Sequence, residues 1–303
     1  MSAAPSIEVS FYRLSEALQP YFTALYLFEI DGRDGGSIED CLHPEWTAMR
    51  FTRGTPPLAT VGPGEMVPQW PFVVSGPNSR SIRFRLYPAR IWGLGLPPAG
   101  WAKFVDGRAC DFIDRTVDGM ADPAFRVFAP ILALAQDATA SPEAVARRID
   151  AYLLSRLDQP SPHEPLVAAC HAALRDADVA NVAQLGELLG LSARSLERLC
   201  ARYFGFPPKL LLRRQRLLRS VARFMLDPCH RWSQAIDRQY HDQAQFVRDF
   251  RAFMGMTPSE YADAPHPVMD KILAHRMVDL GAARQADLPV ALRYTCDLQD
   301  GRE

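Results

Sequence analysis

LSARSLERLCARYFGFPPKLL, residues 191–211, is written again fifty residues later as HDQAQFVRDFRAFMGMTPSEY, residues 241–261. Aligned without a gap, Arg198 falls on Arg248, Gly205 on Gly255 and Pro208 on Pro258. Apolar positions coincide too: Leu196 with Phe246, Cys200 with Phe250, and Tyr203 with Phe253. Each copy opens on a good N-cap, Ser192 or Asp242, whose side-chain oxygen can accept the unpaired amides of a first helical turn. Asp242 has Gln245 three residues on, a variant of the capping box. Each copy reaches a Gly, which can take the left-handed conformation that ends a helix. The pattern predicts one helix over 193–204 and another over 243–254.

A shorter helical stretch precedes each copy. NVAQLGELLG (181–190) opens on Asn181 as cap, and Gly190 gives a sharp turn into Leu191 and Ser192. WSQAIDRQY (232–240) takes the same place before the second copy. Two helices meeting at a tight turn bury one side of the second helix. Leu196, Leu199, Cys200 and Tyr203 form that side in the first copy. Its other side carries Arg194, Glu197, Arg198, Ala201 and Arg202, and the second copy offers Gln243, Ala244, Val247, Arg248 and Arg251. Arg can pair with guanine, Gln with adenine and Glu with cytosine, while Ala and Val suit a thymine methyl. The plainer alternative is two helical hairpins with ordinary polar surfaces.

KLLLRRQRLLRSVARFML (209–226) joins the copies without Gly or Pro. Leu210, Leu217, Leu218, Val221, Phe224 and Met225 mark one apolar side, and Arg213, Arg214, Arg216, Arg219 and Arg223 fill much of the rest. One continuous helix would hold the two units apart at a fixed distance. Successive major grooves on one face of DNA lie ~34 Å apart. The duplication thus suits one chain reading two successive segments of a duplex.

Charge supports that reading. The chain's formal net charge is −1, yet from Arg194 to Arg251 it carries 13 basic residues against five acids, a net of +8. A basic block attracts polyanions, nucleic acid above all, although a solvated helical face gives the same count.

The N-terminal half reads differently. In SIRFRLYP, Ile82, Phe84 and Leu86 alternate with Arg83 and Arg85, the period of a strand with one buried face. YFTALYLFEI (21–30) and WTAMRF (46–51) are also β-rich, between turn-rich pieces such as EIDGRDGGS and VGPGEMVPQWP. Short strands spaced this way over residues 8–96 predict a barrel or sandwich. Residues 109–158 carry helical spacing, for example at Phe125, Phe128, Ile131, Val145, Ile149 and Leu153. QPSPHEP (159–165) reads as a linker, and 165–262 as mainly helical. The expected fold class is therefore α+β in two domains, with boundaries at 1–160 and 161–262 and a tail over 263–303. In the tail, Met269, Ile272, Leu273, Met277 and Leu280 have helical spacing.

Residues 165–262 resemble the DNA-binding domain of the AraC/XylS family of bacterial transcription regulators. The resemblance rests on LGLSARSLERLCARYFGFPPKLLLRRQRL and on DQAQFVRDFRAFMGMTPSEY. It implies a seven-helix, all-α domain with two helix-turn-helix units and a connecting helix. Carried over by position, it places Arg194, Glu197 and Arg198, then Gln243, Ala244, Val247 and Arg248, at base edges. Arg202, Lys209 and Arg251, with the caps Ser192 and Asp242, go to phosphates, which position a domain without specifying sequence. The chain departs from the family pattern at Gln239, where a turn glycine is usual, and at Gly186, Cys200 and Gln245. A turn that needed positive φ would strain Gln239.

SGPNSRS and GLGLPPAGWAKFVDG resemble, more loosely, a subfamily with a cupin-like β domain followed by helices. Such a domain implies binding of a small effector, dimerisation, or both, and the family implies contact with RNA polymerase. No motif names the ligand. Trp46, Trp70, Trp92 and Trp101 could line a pocket, with core packing the simpler role; Arg50, Arg53, Arg83 and Arg85 could grip an anion.

Other classes find less support. Only His43 precedes residue 162, and the six cysteines show no metal-ligand spacing, so a cupin-type metal enzyme is disfavoured and no cofactor is expected. No Walker loop, nucleophile elbow or dinucleotide fingerprint is present. A non-specific architectural DNA-binding protein remains the alternative. The N-terminus lacks the regions of a signal peptide, and no apolar run approaches the ~20 residues that span a membrane. A cytoplasmic protein without membrane contact is expected.

Overall fold

A computed structural model describes residues 5–23, 25–32, 36–157, 162–226, 231–272 and 296–297. The N-terminal part is a β-sandwich. Its strands are β1 (Ser6–Arg13), β2 (Leu25–Asp31), β3 (Ile38–Leu42), β4 (Thr47–Gly54), β5 (Leu58–Val61), β6 (Val67–Pro68), β7 (Phe72–Ser75), β8 (Ile82–Leu86) and β9 (Ala89–Leu96). After α1 (Pro98–Phe104) come β10 (Thr116–Asp118), α2 (Ala129–Ala135) and α3 (Pro142–Leu154). The C-terminal part is helical: α4 (Glu164–Arg175), α5 (Val182–Leu189), α6 (Ala193–Tyr203), α7 (Pro208–Leu226), α8 (Trp232–Ala235), α9 (Gln243–Met254) and α10 (Pro258–Asp263). A two-residue strand, β11 (Cys296–Asp297), pairs parallel with β1.

The larger sheet runs β10-β7-β4-β9-β2-β1-β11, the smaller β3-β8-β5-β6. Strand alternation gives the larger sheet two buried faces. On one, Phe28, Ile30 and Ile91 meet Ile38, Leu42, Phe84 and Leu86 of the smaller sheet. On the other, Leu25, Leu27, Met49, Phe51, Trp92 and Leu94 join a cluster that continues through Phe128, Ile149 and Val167 into Leu196, Cys200 and Phe204. The first helix-turn-helix unit thus shares its core with the sandwich. The expected alternation of Ile82, Phe84 and Leu86 with half-buried Arg83 and Arg85 is present in β8.

Two local expectations need correction. The stretch 109–158 is not helical throughout, because Thr116–Asp118 extends the sheet by pairing with Val73–Ser75. The linker 159–165 is shorter than expected, since Glu164 and Pro165 already form the first turn of α4. Proline is tolerated there because a first-turn amide has no helical partner; residues 158–161 lie outside the described residues.

The arginines of α7, five of the 13 basic residues in the block, serve the fold. Arg213 donates to Asp249 at 2.6 Å, and Arg216 lies 3.6 Å from the same carboxylate. Arg219 donates to the fully buried Asp237 at 2.7 Å, with Arg223 at 3.8 Å. Arg214 is buried against the sandwich. Its NH1 donates to the carbonyls of Asn78 at 2.8 Å and Glu45 at 3.2 Å, and its guanidinium lies 3.9 Å from the Trp46 ring centroid. The five arginines of α7 therefore fasten the second unit and the sandwich to the connecting helix, and the count of +8 overstates the charge open to a polyanion.

Of the four arginines that could grip an anion, Arg53 keeps a buried NH1 without a hydrogen-bond partner, and the other three are engaged. Arg50 donates to Glu45 and Ser75, Arg85 pairs with Glu39, and Arg83 donates to the Gly64 carbonyl. Trp92 and Trp101 are core residues, as the simpler reading has it, whereas Trp70 is exposed.

The tail begins by packing on the smaller sheet. Val268, Met269 and Ile272 are buried in the inter-sheet cluster. Leu273, Met277 and Leu280 lie outside the described residues.

Gly205, which ends the first unit, has φ +85°. A Cβ there would come 2.9 Å from Ile113 and 3.1 Å from Pro77 of the sandwich. Gly205→Ala combines left-handed strain with a clash at the joint, and a loss of about 1–2 kcal/mol is expected in denaturant unfolding. Gly190→Ala has the same backbone strain but open space around it, so it should cost less.

Candidate nucleic-acid interface

The two reading helices are built as the sequence predicts. α6 covers 193–203 and α9 covers 243–254. Ser192 accepts from the Ser195 amide at 3.3 Å, and Asp242 from the Gln245 amide at 2.6 Å. Gln245 Oε1 in turn accepts from the His241 amide at 3.1 Å, one position before the cap. Asn181 caps α5 through the Gln184 amide, and Gly190 turns at φ +64° into Leu191. Gly255 ends α9 at φ +76°.

The inward faces are apolar. Leu196, Leu199, Cys200 and Tyr203 are buried in α6, and Phe246, Phe250, Phe253 and Met254 in α9. Cys200 is fully buried beside Cys170, which raises its thiol pKa together with burial. Cys170 and Phe204 are buried in the same cluster as Cys200. Gly186 has a local reason. A Cβ there would lie 3.1 Å from the Leu191 carbonyl oxygen, at the point where the chain folds back from α5.

The outward faces hold the residues singled out from the sequence. Arg194, Glu197 and Arg198 are exposed on α6; Gln243, Ala244 and Arg248 are exposed on α9, with Val247 half-buried. Ser192, Arg202, Lys209, Asp242 and Arg251 are also exposed. Each set lies on one helix face, one set per unit. Neither set is taken up by the ion pairs that bind the arginines of α7. Arg198 and Arg202 share a groove with Arg108 from the sandwich side and with His163 before α4. Lys209 and Arg248 share a second groove, between the units, with Asn181 and Gln245.

The second unit differs from the first in its leading helix. The sequence predicts a helical stretch over 232–240, but α8 ends at Ala235. Ile236 takes ψ +129°, which leaves the helix. Asp237 then holds the turn from inside: its amide donates to Ser220 Oγ, and its carboxylate accepts from the Gln239 amide and from Arg219. Gln239 is unstrained, because Asp114 is the one non-glycine residue with positive φ among the described residues. Gln239 instead joins parts of the domain, accepting from Arg216 through its carbonyl and from Arg219 through its side chain.

α7 has 19 residues, about 28 Å of helix at 1.5 Å per residue. One loop of the sandwich, between β7 and β8, touches everything that α7 joins. Pro77 abuts Gly205 at the end of the first unit. The Asn78 carbonyl accepts from Arg214. Ser81 donates through its amide to Phe253 at 2.8 Å and through its hydroxyl to Met254 at 2.9 Å, at the end of the second reading helix. Ser79 fixes the loop, donating twice to Asp114 at 2.6 Å. This loop is the SGPNSRS segment, and its role in holding both units is not legible without the fold.

Among the described residues, no helix is long and apolar enough to cross a membrane. Residues 185–264 match a protein-family model described as "Helix-turn-helix domain". No curated protein matches the chain. Among solved structures it is similar to two crystal structures of ToxT from Vibrio cholerae. An apo form with one substitution has 8% identity and a TM-score of 0.39, covering 86% of this chain and 97% of that one. The second has 10% identity and a TM-score of 0.39, covering 84% of this chain and 96% of that one.

Proposed function

We propose that residues 185–264, which match a helix-turn-helix family model, are the AraC-type module of a DNA-binding transcription regulator and read base sequence in two adjacent major grooves. The observation that carries this reading is the pair of exposed polar faces on α6 and α9, joined by one continuous helix. In the first groove Arg194, Glu197 and Arg198 read bases; in the second, Gln243, Ala244, Val247 and Arg248 do. Ser192, Arg202, Lys209, Asp242 and Arg251 lie at the flanking phosphates.

Residues 1–160 act as the control domain and 161–262 as the reading domain. A small effector or a dimer contact in the control domain shifts the balance between two placements of the units, with no chemistry performed. The loop of residues 76–81 is the natural route, since it meets α7 and the ends of both reading helices.

Arg198→Ala is expected to relax base preference in one block of the site, and Arg248→Ala in the other, each by about 1–3 kcal/mol of discrimination. The check is competition binding with duplexes substituted one base pair at a time. An equal loss on all duplexes would make that arginine a phosphate contact. Under the architectural alternative, neither variant changes preference, and affinity falls only through the salt-dependent contribution.

A further inference from the structure

The sequence offers no cysteine in metal-ligand spacing, but the fold builds a donor set from residues 226 positions apart. Asp40 and Cys41 lie on β3, at the edge of the smaller sheet. His266 follows α10, in the segment that leaves the second unit. A carboxylate oxygen of Asp40, the Cys41 sulfur and a ring nitrogen of His266 all lie within 4.8 Å of one another.

The outer atoms of the set are already held. His266 Nε2 donates to the Tyr261 carbonyl at 2.8 Å, which turns Nδ1 toward Asp40 Oδ1 at 3.4 Å. Metal-bound histidines are commonly oriented by this kind of bond from the far ring nitrogen to a backbone carbonyl. Asp40 Oδ2 accepts from the amides of Val268 and Met269, both at 2.8 Å, and Oδ1 accepts from the Cys41 amide at 2.7 Å. Those bonds fix the carboxylate, and Oδ1 faces the His266 ring as its ion-pair partner in the metal-free form. Two ligands about 2.1 Å from a tetrahedral zinc ion lie roughly 3.4 Å apart. The tilted pair Nδ1 and Oδ1 already has that separation.

We propose that Asp40, Cys41 and His266 form a binding site for a borderline-soft divalent cation of the zinc class. Thiolate, imidazole and carboxylate together select such an ion over magnesium or calcium, which prefer all-oxygen sets. Three protein ligands leave one coordination position for water. On binding, the Cys41 thiol loses its proton to solvent, and any proton shared between His266 and Asp40 leaves with it. The bound ion ties β3 of the sandwich to the chain that leaves the second helix-turn-helix unit, so the hold of the control domain on that unit depends on metal. The site uses none of the residues of the two reading faces and stands whether or not the domain reads sequence.

The test uses full-length protein stripped with a chelator and titrated with Co2+. One equivalent should raise a thiolate-to-cobalt charge-transfer band, and Zn2+ should displace it. Cys41→Ser should abolish the band. His266→Gln, which can keep the bond to the Tyr261 carbonyl, should weaken Zn2+ uptake by more than about 100-fold, beyond the 10–100-fold typical of an outer-shell change. Should Cys41→Ser fail to fold by circular dichroism in chelator, His266→Gln carries the test alone. Absence of any band overturns the proposal. So does a band that survives in Cys41→Ser, which would point to the buried neighbours Cys170 and Cys200, or Zn2+ uptake unchanged in His266→Gln.

Discussion

Asp237→Ala is expected to destabilise the protein by about 3–5 kcal/mol, the cost typical of removing one partner from a buried ion pair. Asp237 is fully buried, and Arg219 opposite it is nearly so. Without the carboxylate, Arg219 keeps its charge in a dry site. The Gln239 amide also loses its acceptor, while the bond from the residue-237 amide to Ser220 Oγ is kept. The loss should concentrate in the second unit, so hydrogen exchange in α8 and α9 should rise before exchange in α6. Acid should act the same way. Burial alone would raise the Asp237 pKa, but the bonds from Arg219 and the Gln239 amide, with the charges of Arg219 and Arg223, hold it below the ordinary aspartate value. A depressed folded pKa contributes stability that is full above the unfolded value, about 3.9, and is lost as pH falls through the folded one. The variant should therefore lose part of the acid slope below about pH 4 that the parent shows. An acid limb identical in both proteins would remove Asp237 from the account.

Arg214→Ala is expected to cost about 2–4 kcal/mol and to loosen the sandwich from the connecting helix. The change strands the buried carbonyl of Asn78, leaves that of Glu45 with the Asn78 amide alone, and opens a void beside Trp46. Each effect costs 1 kcal/mol or more, and part is returned because a charge no longer has to be buried. That burial lowers the Arg214 pKa to about 9, against the raising effects of Asp114 and Glu45. Arg214→Met, which refills the space without donors, should recover about half of the loss. The measurement is chemical unfolding monitored by Trp fluorescence, with Trp46 in direct contact with the substituted side chain. If both variants unfold like the parent, the joint contributes nothing to stability.

The part of the site that was legible in the sequence is local. Ser192, Asp242 and Asn181 act within three or four residues, and the apolar spacing of each reading helix decides which face is buried. Those signals fix α6 and α9 almost to the residue. The rest depends on partners far along the chain. Arg214 looked like one more charge in a basic block, because its carbonyl partner Glu45 lies 169 positions away. Over the turn of the second unit the spacing predicts helix, because nothing local marks Asp237 as a buried acceptor for Arg219. β10 was hidden inside a helical stretch, since three residues of strand make no period and only the open edge of β7 defines them. Asp40 and Cys41 gave no metal signal for the same reason, with His266 at the other end of the chain.

The most direct measurement of the central claim is selection of random DNA by the full-length protein at near-physiological salt. Two enriched blocks about one helical turn, roughly 10 base pairs, apart are the predicted result, one for each reading helix. Binding without enrichment of any sequence, with a steep loss of affinity as salt rises, would contradict it.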